Sequence, residues 1–132
     1  MSEENVEIVR ALNDAFNHGD AAVAFRLLDP GVEAESHGAL GGDREYRGHD
    51  GVLELMGAFW QSFENPRSEI EECIATGDDV VLAVRIFGRG KASGVDVDTL
   101  TGQVLTLRDG KVVRWRVFDN KAAALEAAGL SE

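Results

Sequence analysis

The sequence contains one cysteine, two prolines, one tyrosine and few basic residues. Cys73 alone cannot close an internal disulfide, so we expect a small buried side chain in a reducing compartment. Only 13 Lys and Arg stand against 24 Asp and Glu, which gives a formal charge of −11. Nucleic acids and anionic membranes bind clustered cations, and neither is therefore an expected partner.

Long apolar runs are also missing. None approaches the roughly 18 residues that span a bilayer. The first seven residues include Glu3, Glu4 and Glu7 and no basic residue, whereas a signal peptide begins with basic and then apolar residues. We therefore expect a cytoplasmic protein. Its 132 residues predict a single domain, residues 1–132, with one hydrophobic core.

Apolar residues at helical spacing mark the first half of the chain. Over residues 3–18 they recur every three or four positions, which predicts a helix. Asp20 is placed to cap a second, short helix. A broad apolar stripe over residues 52–63 predicts a third helix, capped by Asp50 and ended before Pro66.

The second half alternates with a period of two, which is typical of strands. We expect strands at residues 68–75, 80–88, 95–107 and 111–119, and an earlier one at residues 32–37. Residues 29–31 are predicted to be a turn and residues 38–48 a glycine-rich loop. A final helix over residues 121–128 completes an α+β fold, with helices packed on one face of a curved antiparallel sheet.

Several stretches of the chain resemble one known family. Two of them are the step between the first helices at residues 15–20 (AFNHGD) and the turn at residues 28–30 (LDP). The most specific are residues 107–113 (LRDGKVV), 117–119 (VFD) and 124–130 (ALEAAGL). Together with the order of elements, they resemble the nuclear transport factor 2-like superfamily, and within it the small bacterial SnoaL-like proteins of the ketosteroid isomerase-like branch.

That resemblance implies a cone-shaped barrel, in which a highly curved, mostly antiparallel sheet wraps around three helices, plus a short C-terminal helix. It also implies a deep, mostly apolar cavity that is open at one end, and a homodimer, commonly formed through the outer face of the sheet. The superfamily includes ketosteroid isomerases, SnoaL-type polyketide cyclases, limonene epoxide hydrolases and scytalone dehydratases, so the fold alone does not choose a reaction.

The catalytic residues of two of these enzyme groups have no match here. The isomerases use a Tyr, a general-base Asp and a hydrogen-bonding Asp. These three positions align with Leu12, Ser36 and approximately Gln103 in this chain. The epoxide hydrolases use Arg-x-Asp on a central strand and an Asp after Trp-Arg on the last strand. This chain reads RIF at residues 85–87 and WRV at residues 115–117. Neither reaction is expected by its known mechanism.

Asp119 is the residue that best matches the late acid/base Asp of the cyclases. Strict alternation places it with Val113, Trp115 and Val117 on one strand face, which we expect to line the cavity. Apolar surroundings raise the pKa of a carboxyl group, which suits general acid–base catalysis near neutral pH. Asp119 is also placed to cap the final helix, and the two roles are not exclusive.

Arg85 lies in the middle of a strongly apolar strand. If it faces the cavity, it would hold a carboxylate or enolate oxygen, a role for which Gln103 is a second candidate. If it faces the other side of the sheet, it would form a surface ion pair or a dimer contact. The sequence leaves both positions open.

Most aromatic residues recur at the helical or strand spacing that is typical of buried residues. In a cone-shaped fold, some of these buried side chains line the cavity. The candidate ligand-binding residues are Phe16, Phe59, Trp60, Phe63, Phe87, Trp115, Val117 and Tyr46. Tyr46 belongs to the glycine-rich loop, where it lies either near the cavity mouth or on the surface.

Glu33, Glu35 and His37 alternate along the first strand, a spacing that could present three ligands to a metal ion. Carboxylates on the solvent side of a strand are far commoner, and no second cluster of ligands supports a site. We therefore expect no metal.

These observations favour a cofactor-free enzyme of the isomerase, cyclase or dehydratase type, which uses Asp119 for proton transfer on a small hydrophobic substrate. The alternative is a non-catalytic dimer that binds a hydrophobic ligand. A third hypothesis is a purely structural dimer whose cavity is filled by packed aromatic side chains.

Overall fold

The computed structural model describes residues 2–37 and 44–130, apart from the side chains of residues 2 and 59. The described chain contains α1 (Ser2–His18), α2 (Ala21–Leu27), β1 (Leu28–His37), β2 (Arg44–Arg47), α3 (Gly48–Ser62), β3 (Phe63–Thr76), β4 (Asp79–Gly90), β5 (Asp96–Arg108), β6 (Lys111–Phe118) and α4 (Lys121–Ala127). None of the described helices is both long and apolar enough to cross a membrane.

The six strands form one sheet in the order β2-β1-β6-β5-β4-β3. Neighbouring strands run antiparallel, except that β1 and β6 run parallel. The sheet is curved and unclosed, and β2 and β3 are its edge strands. The predicted α+β fold, with a mostly antiparallel curved sheet, is confirmed.

Alternation along the strands separates two apolar layers. On β4, Leu82, Val84 and Ile86 face the main core, whereas Val81 faces the opposite side of the sheet. The buried residues that α1 and α3 contribute to the main core are Val9, Leu12, Ala15, Val52, Leu55 and Met56. A smaller outer cluster is formed by Val81, Val104, Ala124 and Leu125. α4 therefore packs on the outer face of the sheet, opposite α1 and α3. The expectation that the helices pack on one face is wrong for α4.

The ends of the first two helices follow their sequence signals. α1 is followed by Gly19, which has a φ of +65°, a left-handed conformation that glycine adopts without steric penalty at a helix end. Asp20 caps α2, because its Oδ1 accepts a hydrogen bond from the Val23 amide at 3.1 Å. The predicted cap at Asp20 is confirmed.

The stretch predicted as a turn at residues 29–31 lies inside β1. Asp29 Oδ2 accepts a hydrogen bond from the Gly31 amide at 2.8 Å, so local turn geometry is present. The strand nevertheless pairs with β6 at Leu28 and again from Glu33 onwards. The pairing with β6 is interrupted at this turn by a β-bulge, because Pro30 has no N–H to donate to the neighbouring strand.

Two predictions for residues 38–50 are wrong in part. Residues 44–47 form β2, which pairs with β1, and are not loop; residues 38–43 lie outside the described residues. β2 has almost no apolar alternation, and a short charged strand of this kind suits a sheet edge. α3 begins at Gly48, and Arg47 rather than Asp50 holds the N-cap position, without a side-chain hydrogen bond.

β3 begins at Phe63, earlier than the predicted residue 68, and follows α3 directly. Pro66, which we expected only to end the helix, lies within this strand, where the pairing with β4 is irregular between Glu64 and Arg67. An edge strand tolerates proline because one of its sides has no ladder partner.

α4 is capped by Asn120 and not by Asp119, as Asn120 Oδ1 accepts a hydrogen bond from the Ala123 amide at 2.8 Å. The start of the helix lies very close to β5. A Cβ atom on Gly102 would overlap the Asn120 carbonyl group and would lie 2.9 Å from the Ala124 Cβ. Close approach of α4 therefore requires glycine at this position.

We expect Gly102→Ala to lower the free energy of unfolding by about 1–3 kcal/mol, because the backbone it would meet cannot turn aside as a flexible side chain can. Gly57→Ala is the matched control. An added Cβ at Gly57, inside α3, meets no atom within 4 Å, and we expect it to raise stability by about 0.5–1 kcal/mol. Urea denaturation followed by circular dichroism measures both. Equal stability of the two variants would contradict the close packing of α4.

Candidate functional site

An apolar cavity lies between α1, α3 and the inner face of the sheet. Its volume is about 60 Å³, enough for a few water molecules. The described lining residues are Val9, Leu12, Asn13, Phe16, Leu28, Val52, Leu55, Met56, Ser68, Leu82, Val84, Ile86, Gln103, Leu105, Trp115 and Val117. None of these sixteen side chains is ionisable near neutral pH.

Gln103 on β5 is the polar group that the centre of the sheet presents to this cavity, and it is 6% exposed. Its Oε1 accepts a hydrogen bond from the Trp115 indole N–H at 2.9 Å, and its Nε2 donates to Thr101 Oγ1 at 3.2 Å. Thr101 in turn donates its hydroxyl proton to the Val84 carbonyl at 3.1 Å. The indole N–H can only donate, so it requires the amide oxygen of Gln103. Thr101 donates its hydroxyl proton to Val84 and therefore requires the amide NH₂. Both contacts fix the same orientation of the amide.

A second polar cluster joins α1 to β3 at the cavity wall. The Nδ2 atoms of Asn13 and Asn17 donate to the Ser68 carbonyl at 3.0 and 2.8 Å. Asn17 Oδ1 accepts from the Ser68 amide and Asn13 Oδ1 accepts from the Ser68 hydroxyl, both at 2.8 Å. β3 is an edge strand, so these side chains satisfy backbone groups that no strand pairs. We call Asn13, Asn17 and Ser68 the α1–β3 clasp.

Phe16 brings α1 against two tryptophans. The centroid of its ring lies 5.5 Å from that of Trp60 and 6.5 Å from that of Trp115, which it meets edge-on at 89°. Phe16 and Trp115 line the cavity, whereas Trp60 packs against the main core outside the lining. These ring contacts give the cavity an aromatic wall.

The sequence profile of the SnoaL-like domain matches residues 9–115. The chain belongs to the SnoaL-like domain family. This confirms the resemblance noted in the sequence. No functionally curated protein matches the chain.

Solved structures share this SnoaL-like fold at low identity. A proposed SnoaL-like polyketide cyclase from Jannaschia sp. CCS1 is 24% identical over 96% of this chain and 92% of that chain, with a TM-score of 0.79. A hypothetical protein with a ketosteroid isomerase-like fold from Catenulispora acidiphila DSM 44928, in complex with trimethylamine, is 17% identical over 94% of this chain and 93% of that chain, with a TM-score of 0.77. TerC, co-crystallised with polyporic acid, is 24% identical over 93% of this chain and 96% of that chain, with a TM-score of 0.78.

Only part of the predicted site lies together in the cavity. The predicted residues that line it are Gln103, Phe16, Trp115 and Val117. Trp60 and Phe63 pack against the main core without lining the cavity.

The other predicted aromatic residues lie elsewhere. Phe87 lies on the outer face of β4, because the adjacent residue Ile86 lines the cavity and successive side chains of a strand point to opposite faces. Tyr46 lies on β2 and lines a surface groove between β2 and α3. The side chain of Phe59 lies outside the described residues.

Arg85 lies on the outer face of β4, outside the described lining of the cavity. Its Nε donates to Glu71 at 2.7 Å and its Nη1 to Asp98 at 2.8 Å. The hydrogen bonds to Glu71 and then to Asp98 raise the pKa of Arg85 above its usual value. Of the two positions that the sequence left open, the structure shows the surface ion pair.

Asp119 is exposed at the end of β6 and is not among the described lining residues. Trp115 and Val117 face the cavity as expected, but Val113 does not line it. The pairing of β5 with β6 shifts register next to Val113, and this β-bulge accounts for Val113 alone. β6 ends at Phe118, so Asp119 lies beyond the paired residues whose alternation the prediction extended to it.

Glu33, Glu35 and His37 lie on the outer face of β1. Arg114 Nε and Nη2 donate to the two Glu35 carboxylate oxygens at 2.8 and 3.2 Å, and His37 Nε2 lies 3.0 Å from Glu35 Oε1. The hydrogen bond from Arg114 is the largest influence and holds the pKa of Glu35 below its usual value, against burial, which raises it. Within residues 2–37 and 44–130, no group of His, Cys, Asp and Glu is placed to hold a metal ion.

The residues that sequence reasoning missed are those of the clasp. Asn13 and Asn17 are four residues apart and therefore share one helix face. That face lies beside the apolar residues Leu12 and Phe16. Two amide side chains at this spacing, next to buried residues, could have indicated a polar contact with another element. Ser68 gave none, because its role depends on β3 being an edge strand.

A pH-dependent contribution to stability follows from the pair of Arg114 and Glu35. The folded pKa of Glu35 is lowered from a usual value of 4.5, so the pair stabilises the fold above that pH and the effect is lost as the pH falls through the folded pKa. Because Arg114 is 44% exposed, we expect Arg114→Met to lower the free energy of unfolding at pH 7 by less than about 1 kcal/mol.

We expect that difference to shrink in urea denaturation series taken from pH 7 towards pH 3. Arg108→Met is the control, since Arg108 is exposed and has no ion pair within the described part of the chain. An Arg114→Met effect that is the same at every pH would show that the pair does not set the pKa of Glu35.

Proposed function

We propose that this SnoaL-like protein binds one small, neutral, largely apolar molecule in the cavity between α1, α3 and the sheet. The observation that carries this proposal is the lining, in which none of the sixteen described residues is ionisable. An ion in such a lining would lose its hydration without gaining an opposite charge, whereas a neutral molecule would not. The volume of about 60 Å³ limits the ligand to a compact molecule. A cavity of roughly 150 Å³ holds benzene, so a single ring is the upper limit and requires lining side chains to move apart.

Gln103 gives this ligand a point of recognition. An amide NH₂ group has two donors, and Gln103 uses one of them for Thr101. Its second N–H has no hydrogen-bond partner among the described residues. The hydrogen bond from Trp115 holds the amide oxygen in place, so the amide group does not turn over. We therefore propose that the ligand carries an oxygen that accepts a hydrogen bond from Gln103, as a ketone or an ether does.

Proton-transfer catalysis would require a proton acceptor within reach of such a ligand. Asp119, the residue predicted for this role in an isomerase, cyclase or dehydratase, is exposed and outside the described lining. This placement favours the non-catalytic binding alternative, and proton transfer by Asp119 stays a prediction. A homodimer through the outer sheet face also stays a prediction; α4 covers part of that face.

The role of Gln103 is tested with cyclohexanone and methylenecyclohexane, which share a shape but differ in having an oxygen acceptor. We expect Gln103→Met to reduce the affinity of cyclohexanone relative to methylenecyclohexane roughly fivefold, the value of about one net hydrogen bond. NMR titration of each ligand gives the dissociation constants. The ratio of the two within one variant is its own control for folding.

Two other outcomes have separate meanings. If neither molecule binds the native chain, the proposed binding function is wrong. If both bind and the ratio is the same in Gln103→Met, the cavity binds ligands but Gln103 does not select them.

Asp119→Asn separates binding from catalysis. We expect this variant to bind cyclohexanone with unchanged affinity, because the exposed side chain lies outside the described lining. The same NMR titration measures the effect, and native circular dichroism confirms the fold. A clear loss of affinity would place Asp119 at the cavity and would favour the proton-transfer hypothesis.

A further inference from the structure

We propose that Thr101 and Trp115 determine, through Gln103, which ligands the cavity takes, so that molecules that accept a hydrogen bond are favoured over molecules that only donate one. Trp115 lines the cavity, whereas Thr101 lies outside its described lining. Thr101 is thus a positioning residue, since it acts on a ligand that it does not touch. This inference rests on the proposed binding function and narrows the class of ligand.

The end of a glutamine side chain can present either of two groups to a ligand. Turning the amide over exchanges its oxygen with its NH₂ group and hardly changes its shape. The oxygen accepts hydrogen bonds, whereas the NH₂ group donates them. If Gln103 were free to turn, it would bind acceptors and donors alike. The contacts that hold its amide therefore decide which kind of ligand is favoured.

Two hydrogen bonds hold Gln103, one at each side of its amide. The Trp115 indole N–H donates to Gln103 Oε1 at 2.9 Å, and Gln103 Nε2 donates to Thr101 Oγ1 at 3.2 Å. A turned amide would bring its NH₂ group against the indole N–H, and two donors do not bond. It would also need the Thr101 hydroxyl proton, which the Val84 carbonyl accepts at 3.1 Å.

Burial makes these contacts costly to lose. Thr101 is 3% exposed and Gln103 is 6% exposed, and a buried polar group without a partner is unfavourable. Backbone pairing places Thr101 opposite Val84 on β4. The Trp115 ring is in turn contacted by Phe16, which meets it edge-on. The two groups that hold the amide are therefore themselves held by the surrounding structure.

The alternative is that these contacts are purely structural. Thr101 and Trp115 would then satisfy a buried amide and add to stability, without any effect on which ligand binds. The two roles differ in the ratio of the affinities of an acceptor and a donor of similar size. Tetrahydrofuran has an acceptor oxygen and no donor, whereas pyrrole donates through its N–H and accepts poorly. Both are compact five-membered rings.

The native chain gives the first comparison, by NMR titration with each ring. We expect its preference for tetrahydrofuran over pyrrole to be roughly fivefold greater than that of Gln103→Met, the value of about one net hydrogen bond. Referring the ratio to Gln103→Met removes the contribution of the other lining residues. If the two ratios are equal, Gln103 is not held as a donor and the inference is wrong, whether or not any other variant folds.

The second comparison removes the two contacts one at a time and together. In Trp115→Phe or Thr101→Val, one hydrogen bond still favours the native orientation, so we expect the ratio to change less than roughly twofold. In the double variant the amide turns to suit the ligand, and we expect the ratio to shift towards pyrrole roughly fivefold. Both rings experience the same loss of volume at Trp115, so the ratio is insensitive to it.

Thr101→Ser in the Trp115→Phe background is the matched control, because serine keeps the hydroxyl group and removes only a methyl group. We expect it to keep the ratio of Trp115→Phe. An unchanged ratio in the double variant, or the same shift with Thr101→Ser, would overturn the role of Thr101. Failure of both rings to bind the native chain would instead overturn the proposed binding function.

Discussion

The alternation of side chains along β4 determines what the cavity contains. Leu82 and Val84 face inward, and Arg85 faces outward into ion pairs with Glu71 and Asp98. A register shift of one residue would exchange the two sets and would place a guanidinium group in an apolar interior. Long antiparallel pairing with β3 and β5 fixes the register. The uncharged lining is therefore a consequence of how this sheet is paired.

Periodicity in the sequence was enough to predict most of the fold. Both long helices, the four long strands and the α+β class were visible in it, and local motifs identified the family. The errors fall where pairing overrides local pattern. β1 continues through Pro30 because β6 pairs on both sides of the bulge. β6 ends at Phe118, its last paired residue, so the alternation that places Trp115 and Val117 in the cavity does not extend to Asp119.

The candidate site was less predictable because its parts come from distant elements. Phe16, Trp115 and Val117 could be proposed as cavity wall because apolar residues at core spacing supply such walls, but the same rule also selected Phe87, which faces the other way. Gln103 came from the family resemblance. The clasp requires β3 to be an edge strand, and strand order is a property of the assembled sheet that no local pattern encodes.

The contact between α4 and Gly102 has a consequence for the opposite side of the sheet. Gly102 meets the start of α4 on the outer face, and the next residue along β5, Gln103, presents its amide to the cavity. One peptide unit therefore connects the C-terminal helix with the interior. Residue 102 has no room for a side chain on the outer face, whereas residue 103 uses its side chain on the inner face. Two neighbouring positions of β5 are therefore restricted from opposite sides, one by the C-terminal helix and the other by the cavity.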